Sequence, residues 1–372
     1  MSKTTAEIPY TELVERAIQM ARVNSTNDRS RARAAVNDMY CRVLPAREDW
    51  SFLLATSAIT CDASYITGTV SINTQDTVAT FSTDVTLPTM SRLPWKIKFS
   101  QNNNVYDFTR ANNTGGTIAP PLSGTQNITN WAYTVYQDTY YLAPDFDRFP
   151  KNGGLLLYQG GKRTPIKEST VQKFFSDTTP SPSVPGTCQI LLNYGTGGIP
   201  AVVLDPPPKD PLVIPYFYLQ TVKPMRETTA GFADIAISAT AVIGSAGTTR
   251  FTEVTSGSYF RITAFGTEED SEWYRTTAVP TNSSATLSVV FGLSGATTAA
   301  YVLCDAPKMP AKLHLAILYG ATKILLADQN DPNFKYADSL EREIMTEARR
   351  TYKTRIYDQE IDTIATDWQY RR

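Results

Sequence analysis

The chain has 372 residues, of which 42% are hydrophobic, 11% aromatic and 19% charged. Its 35 basic and 36 acidic residues leave a net charge of −1, which excludes a strong global field for nucleic acid. A chain of this length corresponds to about two or three domains, and it can bury enough surface to fold without disulfides or metals.

Targeting segments and metal sites are not expected. Residues 1–7 are polar and no apolar h-region follows them, which argues against a secretory signal. The sequence lacks an apolar run of about 18 residues, so a membrane span is not predicted. The four cysteines are isolated from one another, and His314, the only histidine, has no metal-ligand spacing around it. We therefore expect no cofactor, no metal and no membrane partner.

Two helices are predicted near the N-terminus. Apolar residues between Leu13 and Ala21 recur on one helix face. Asp28 is expected to cap a second amphipathic helix, which Pro45 should end. Together they predict a helical hairpin within residues 1–60.

The middle of the chain is predicted to be antiparallel β structure. It is rich in Thr, Ser, Gly and Pro, with short β-branched and aromatic runs between turn residues. Similar runs follow in the same order in residues 61–138 and 231–306; for example, 95–99 matches 259–262. These two segments predict a duplicated β-sandwich or barrel domain. Residues 139–230 between them predict a central β element with proline-rich loops.

Two further helices are predicted in residues 307–356. The apolar spacing from Leu313 to Leu325 indicates the first. Asp331 and Pro332 resemble an N-cap and a first helical position, and they open a helix that should extend to Ile356. These helices are expected to complete a bundle with the N-terminal hairpin, followed by an arm at 357–372 that becomes ordered on a partner. The predicted fold class is therefore α+β, a helical bundle with inserted antiparallel β domains.

The sequence carries no recognisable catalytic motif. Gly153-Gly154 and Gly160-Gly161-Lys162 bracket a short strand, and we interpret them as hairpin turns because no helix follows to cradle a phosphate. One histidine leaves a thin repertoire for acid–base chemistry, and nothing marks a nucleophile. The chain is therefore predicted not to be an enzyme.

Aromatic residues beside polar ones leave a sugar-binding interpretation open. Aromatic faces stack on sugars, but in alternating strands they more often face a core or a subunit interface. The residues concerned are Trp131, Tyr133, Tyr136, Tyr140, Tyr141, Tyr216, Tyr218 and Trp273.

Three segments carry a resemblance to a known class of proteins. They are Glu48–Leu53, Tyr140–Phe146 and Leu313–Ala321, the last followed by a charged amphipathic helix. The arrangement resembles the head-to-tail connectors of tailed double-stranded-DNA bacteriophages, the adaptor or neck-ring class that includes tail-tubular and gatekeeper-like proteins. The resemblance implies a virion protein, made in the host cytoplasm, that forms a homo-oligomeric and commonly dodecameric ring beneath the portal. Double-stranded DNA would pass through the lumen without sequence-specific contact.

The same resemblance suggests two contact regions. A terminal segment would dock on the portal, and loops or β domains would meet the next tail or neck component. The expected portal-docking residues are Tyr357, Ile361, Ile364, Trp368, Tyr370, Arg371 and Arg372. The expected tail-facing loop contains Gly153, Gly154, Gly160, Gly161 and Lys162. Two alternatives remain open, a tail-tube or nozzle subunit and a glycan-binding receptor or adhesion module.

Overall fold

The computed structural model is mixed α and β, mostly β-sheet, with barrel-like sheets. It describes residues 7–23, 25–82, 86–87, 95–102, 104–123, 126–151, 153–159, 162–169, 181–195, 197–236, 238–245, 247–254, 257–264, 272–292 and 295–353. The described residues divide into two compact units. One is made of the segments up to Phe52 and from Val222 onward, and the other is Leu53–Thr221.

Helices from both ends of the chain lie in the first unit. They are α1 (Tyr10–Ala21), α2 (Thr26–Asp38), a π-helical turn (Met39–Val43), α3 (Leu44–Arg47), α4 (Ala311–Asp328) and α5 (Phe334–Tyr352). Helix α4 contacts α1, α2 and α5, and most of its side chains are buried. Gly320 allows a close approach, because a Cβ there would lie 2.1 Å from Met39 Cε. A side chain at this position would displace the Met39 side chain.

The N-terminal helices begin and end differently from the prediction. Ser25, not Asp28, is the N-cap of α2. Asp28 N–H donates to Ser25 Oγ at 3.2 Å and Ser25 N–H donates to the Asp28 carboxylate at 3.1 Å, which forms a capping box. Pro45 does not end the helical segment. It lies just after the π-helical turn in a continuous helical run that ends at Arg47.

Helix α5 also differs from the prediction at both ends. It begins at Phe334 with Asn333 as N-cap, because the Asp331 carboxylate accepts from Asn333 N–H at 2.8 Å and holds a turn before the helix. It ends at Tyr352, since Lys353 is extended.

Barrel 1 is a seven-stranded sheet in the second unit. Its strands are β2 (Val70–Ile72), β3 (Val78–Phe81), β4 (Trp95–Phe99), β5 (Val105–Asn112), β6 (Gly115–Ala119), β7 (Ile128–Trp131) and β8 (Tyr133–Tyr136), in the order β7-β2-β3-β6-β5-β4-β8. Alternate side chains point inward, so Trp95, Ile97 and Phe99 of β4 are buried in an apolar core.

The rest of the second unit is a central eight-stranded sheet. Its strands are β1 (Leu54–Cys61), β9 (Thr139–Tyr141), β10 (Phe146–Arg148), β11 (Leu155–Gln159), β12 (Lys162–Glu168), β13 (Thr187–Tyr194), β14 (Ile199–Asp205) and β15 (Leu212–Gln220). The order is β1-β15-β11-β12-β13-β14-β9, with β10 paired to β15. Residues 54–60 were expected to belong to the helical hairpin, but they form β1, and Ile59 lies in the core of this sheet.

Barrel 2, in the first unit, repeats the strand order of barrel 1. Its strands are β16 (Glu227–Thr228), β17 (Ala233–Ile235), β18 (Ala241–Gly244), β19 (Tyr259–Ala264), β20 (Tyr274–Thr281), β21 (Ser284–Leu287) and β22 (Ala296–Cys304). In barrel 2 the last strand, β22, pairs with both β17 and β19. In barrel 1 the consecutive strands β7 and β8 pair with the equivalent β2 and β4. Each sheet is therefore closed by the C-terminal part of the segment that forms it.

The two barrels also share uncommon local geometry. Three pairs of equivalent positions have positive φ: Gly68 and Gly231 (80° and 79°), Gln75 and Ser238 (64° and 58°), and Asn130 and Thr298 (53° and 54°). In each barrel a buried tyrosine near the end donates its hydroxyl at 2.6 Å to a carbonyl just before one of two equivalent strands, Tyr133 to Thr67 before β2 and Tyr301 to Ala230 before β17. Agreement in such details goes beyond the general similarity of two closed sheets.

We expect Thr298→Gly to stabilise the protein by about 1 kcal/mol. A β-branched residue at a φ of 54° is strained, and glycine removes the clash of its Cβ with the backbone. The Thr298 side chain is exposed, so little packing is lost. Chemical denaturation would measure the change. Thr297→Gly is the matched control, because Thr297 is exposed on the same strand without positive φ and should lose about 0.5–1 kcal/mol. Destabilisation by both variants would contradict the strain argument.

Candidate functional site

The structure describes the chain up to Lys353, shortly before the predicted portal-docking arm. The arm residues themselves, Tyr357, Ile361, Ile364, Trp368, Tyr370, Arg371 and Arg372, lie outside the described residues. The last residues before it, Tyr352 and Lys353, lie beside Glu48–Phe52 in the first unit. We call these two segments together the arm root.

Trp50 is the centre of the arm root. Its side chain is fully buried, and its Nε1–H donates to Leu44 O at 2.7 Å. The Trp50 ring stacks on Phe52 with centroids 5.7 Å apart, and Phe52 meets Tyr352 edge-on at 6.4 Å. This aromatic chain connects α3 to the end of α5 and holds the last turn of that helix in place.

Ion pairs and a backbone β-bridge also join the segment around Trp50 to the end of α5. Glu48 lies 3.0 Å from Arg349 Nε and 3.5 Å from Lys353 Nζ. Both cations are about half exposed, so solvent screens these pairs and each is worth little alone. Lys353 also forms an antiparallel β-bridge with Trp50. The final described residue is therefore fixed by its backbone as well as by its charge.

A buried ion cluster lies behind the arm root. The Glu341 side chain on α5 is fully buried. One of its oxygens lies 2.7 Å from Arg47 Nη2 of α3, and the other contacts Lys323 Nζ of α4. One carboxylate thus connects three helices from both ends of the chain. A buried carboxylate of this kind needs a cation partner, because an unpaired charge in a core is costly, and here two cations share that role.

The predicted tail-facing loop is only partly described. Gly153 and Gly154 precede β11, which agrees with the predicted turn before a strand, and Lys162 begins β12; Gly160 and Gly161 lie outside the described residues. The two described glycines line a cavity of about 510 Å³. Its other lining residues are Phe146, Asp147, Arg148, Phe149, Pro150, Lys151, Ile166, Glu168, Cys188, Ile190 and Leu192. The lining combines apolar side chains with charged side chains of both signs.

A polar cluster attaches barrel 2 to the N-terminal helices. Thr11 Oγ1 donates to one Glu227 oxygen at 2.6 Å, and Arg33 pairs with the other. Asn37 binds the backbone of Met225 twice, donating to its carbonyl at 3.2 Å and accepting from its N–H at 2.9 Å. A crevice of about 530 Å³ lies over this cluster. Its polar groups are occupied in holding β16 against α1 and α2, so they position the barrel.

The thiols are not activated as nucleophiles. All four cysteines are free. Burial raises the thiol pKa of Cys61, Cys188 and Cys304 to about 12 and that of Cys41 to about 11. They therefore stay protonated at neutral pH. Within the part of the chain that the structure describes, no group of three His, Cys, Asp or Glu side chains could hold a metal ion.

The aromatic residues considered for sugar binding mostly face cores. Five of the eight are buried, which confirms the core interpretation for them: Tyr133, Tyr136, Tyr140, Tyr216 and Tyr218. Trp131 and Trp273 are half-buried, and Tyr141 is 37% exposed and contacts Tyr194. The described surface therefore offers no row of exposed rings from this set.

The resemblance drew attention to the segment around Trp50, but the sequence did not indicate which residues this segment contacts. The contacts to Tyr352, Arg349 and Lys353 join residues about 300 positions apart. The only available signal was the acidic residue before Trp50 and the basic end of the last helix.

Comparison with known proteins adds no relative. No protein-family model matches the chain, and no curated protein matches it significantly. Among the described helices, none is both long and apolar enough to cross a bilayer.

We expect Trp50→Phe to destabilise the protein by about 2 kcal/mol. The change leaves Leu44 O without its buried donor and removes part of a fully buried ring. Chemical denaturation would measure the loss. Phe52→Leu is the control, since Phe52 is only partly buried and makes ring contacts alone. The arm root would not depend on the Trp50 hydrogen bond if Trp50→Phe cost no more than Phe52→Leu.

Proposed function

We propose that this chain is a structural protein of the neck of a tailed bacteriophage. It forms a dodecameric ring of identical subunits that joins the portal to the tail and lines the DNA passage. Its site of action is the virion, and it carries out no catalysis. The portal, the next tail or neck component and further copies of the chain are its partners.

The observation that carries this proposal is the meeting of both chain ends in one helical body. Helices α1 and α2 contact α4, and α5 contacts α4 in turn. The segment Glu48–Leu53, which carries part of the resemblance, packs against the end of α5 where the predicted arm begins. A body that anchors an arm suits a ring subunit, because a ring requires each subunit to reach a neighbour or a partner layer in a defined direction.

The proposal includes the finer architecture predicted from the sequence. The four longer helices form the bundle of the connector class, and the two barrels are copies of one module inserted into it. The shared strand order, the three pairs of positive-φ positions and the matching tyrosine hydrogen bonds support the duplication. Chance similarity of two closed sheets would not extend to strained residues at equivalent positions.

The charge balance also fits a DNA conduit. Each Lys or Arg contact to phosphate adds affinity for DNA and would slow its passage. The net charge of −1 provides no general attraction of that kind. DNA would therefore pass the ring without sequence-specific contact.

The tail-facing surface is assigned to the loop around Gly153 and Gly154. The cavity beside these glycines is lined in part by apolar side chains, against which an apolar side chain of the next component could pack. A tail-tube or nozzle position for the ring is the nearest alternative, and it differs only in the virion layer where the protein is found. A glycan-binding module has less support, since most candidate rings are buried.

Native mass spectrometry of the purified protein tests the ring. We expect a closed assembly of about twelve copies, because heterologous contacts close when the rotation between neighbours divides a full turn. A trimer or monomer that binds saccharides would instead support the receptor alternative and contradict the ring.

Deletion of residues 357–372 tests the arm. We expect the truncated protein to lose binding to the portal ring in a co-sedimentation assay. Its free energy of unfolding should stay within about 0.5 kcal/mol of the full chain, since the deletion begins beyond the arm root. Trp368→Ala provides a milder variant in the full-length chain, and weaker portal binding is expected for it too. Normal attachment of the truncated protein would remove the arm from the portal interface.

A further inference from the structure

The only histidine of the chain holds the segment before α1 in place. His314 lies on α4 and is fully buried. Its Nδ1 lies 2.9 Å from Ile8 N, and its Nε2 lies 3.1 Å from Met309 O. An N–H can only donate and a carbonyl can only accept, so Nδ1 must be the acceptor and Nε2 must carry the proton. These contacts therefore fit the neutral ring in one tautomer.

Residues Glu7–Pro9 form a strap between α4 and barrel 2. Besides the bond from Ile8 to His314, the Glu7 carboxylate accepts from the Tyr259 hydroxyl on β19. The first residue of α1 continues the contact, because Tyr10 N–H donates to Asp305 O at 2.9 Å. The strap is therefore held by a few polar contacts at defined points.

The charged groups around His314 come from three directions. Glu7, on the strap, is the carboxylate that acts on the ring, and its charge favours a protonated His314. On the barrel side, Tyr259 shares the Glu7 carboxylate. On the segment that leads into α4, the Asp305 carboxylate accepts from Arg226 N–H and Ser258 Oγ, and Lys308 N–H donates to Tyr40 Oη.

We propose that residues Glu7–Pro9 are an acid-operated strap, latched by neutral His314 and released when that ring is protonated. A proton on Nδ1 removes the acceptor and sets a donor against Ile8 N–H. The ring also becomes a buried cation, which is stabilised by moving the strap and admitting water. Release frees the N-terminal residues for another contact and uncovers the base of barrel 2 at Tyr259. The inference concerns the strap alone and holds whether or not the protein forms a ring.

The direction of the pH effect follows from burial. Desolvation lowers the pKa of His314 below its ordinary value of about 6.5, although Glu7 opposes this shift. For a group with a lowered folded-state pKa, the stabilisation is complete above the unfolded-state pKa. It is lost as the pH falls through the folded-state pKa. The strap should therefore be fully closed above about pH 6.5 and should open as the pH falls through the lowered pKa of His314.

Hydrogen exchange of the Ile8 amide, read by NMR on the full chain between pH 7.5 and 4.5, tests the latch. Rates are corrected for the intrinsic pH dependence of exchange. We expect the protection of the Ile8 amide to be lost as the pH falls through the pKa of His314, because protonation of Nδ1 removes the acceptor of the Ile8 hydrogen bond. Protection that stays constant from pH 7.5 to 4.5 would overturn the proposal.

Two substitutions of the same residue separate the latch from general destabilisation. In His314→Asn the side-chain oxygen replaces the Nδ1 acceptor, so Ile8 should stay protected at every pH. In His314→Gln the amide replaces the Nε2 donor to Met309 and the acceptor is lost, so Ile8 should exchange fast even at pH 7.5. Equal protection of Ile8 in the two variants would contradict the assignment. Circular dichroism confirms that each variant folds before the comparison is made.

Glu7 must be excluded as the titrating group. Glu7→Gln keeps an acceptor for Tyr259 but does not ionise, so its strap should still open as the pH falls. A strap that stays closed in this variant would assign the transition to Glu7 and refute the role of His314. Native mass spectrometry of the same samples reports the ring separately, so failure of the latch and failure of the ring can be distinguished.

Discussion

Closure of each barrel by its own last strand is the constraint on which the rest of the chain depends. In barrel 2, β22 pairs with β17 on one side and β19 on the other, and β7 and β8 do the same in barrel 1. These pairings use the last segment of each barrel at both ends of the strand order and so reduce the strand edge that is left for a foreign chain. Closure also brings the two ends of each module together, at Tyr65 beside Val135 and at Thr228 beside Leu303. A module whose ends are neighbours can be inserted into a host fold without stretching it.

Closing each barrel requires a strained backbone conformation. The last segment of each barrel pairs first with one strand and then crosses to another. Both barrels have a register shift and a residue with positive φ in the first of these pairings, at Asn130 and at Thr298. A left-handed residue supplies the bend, although Thr298 is a poor choice for it. The strained backbone persists because the strand pairing before and after the residue holds it in that conformation. Its presence in both barrels argues that the bend belongs to the module and not to either insertion point.

The sequence predicted which elements exist better than where they end. Strand composition was sufficient to predict the β-sheets in the middle of the chain, because alternation is a local property. The errors at helix ends have local causes: Ser25 competes with Asp28 as the N-cap, and a π-helical turn before Pro45 lets the helical run continue past it. The role of β1 could not be found locally, since its apolar residues are explained only by β15 about 150 residues later. The partners of Trp50 were hidden for the same reason.

The helical body determines how the proposed strap can act. Glu341 of α5 lies between Arg47 of α3 and Lys323 of α4, so two cations from different helices share one buried carboxylate. Loss of one cation leaves the other as its partner, and only loss of both would leave a buried charge uncompensated. The strap lies against α4, where Ile8 N–H donates to His314. The ion pairs of Glu341 do not involve the strap, so the strap can open without disturbing them.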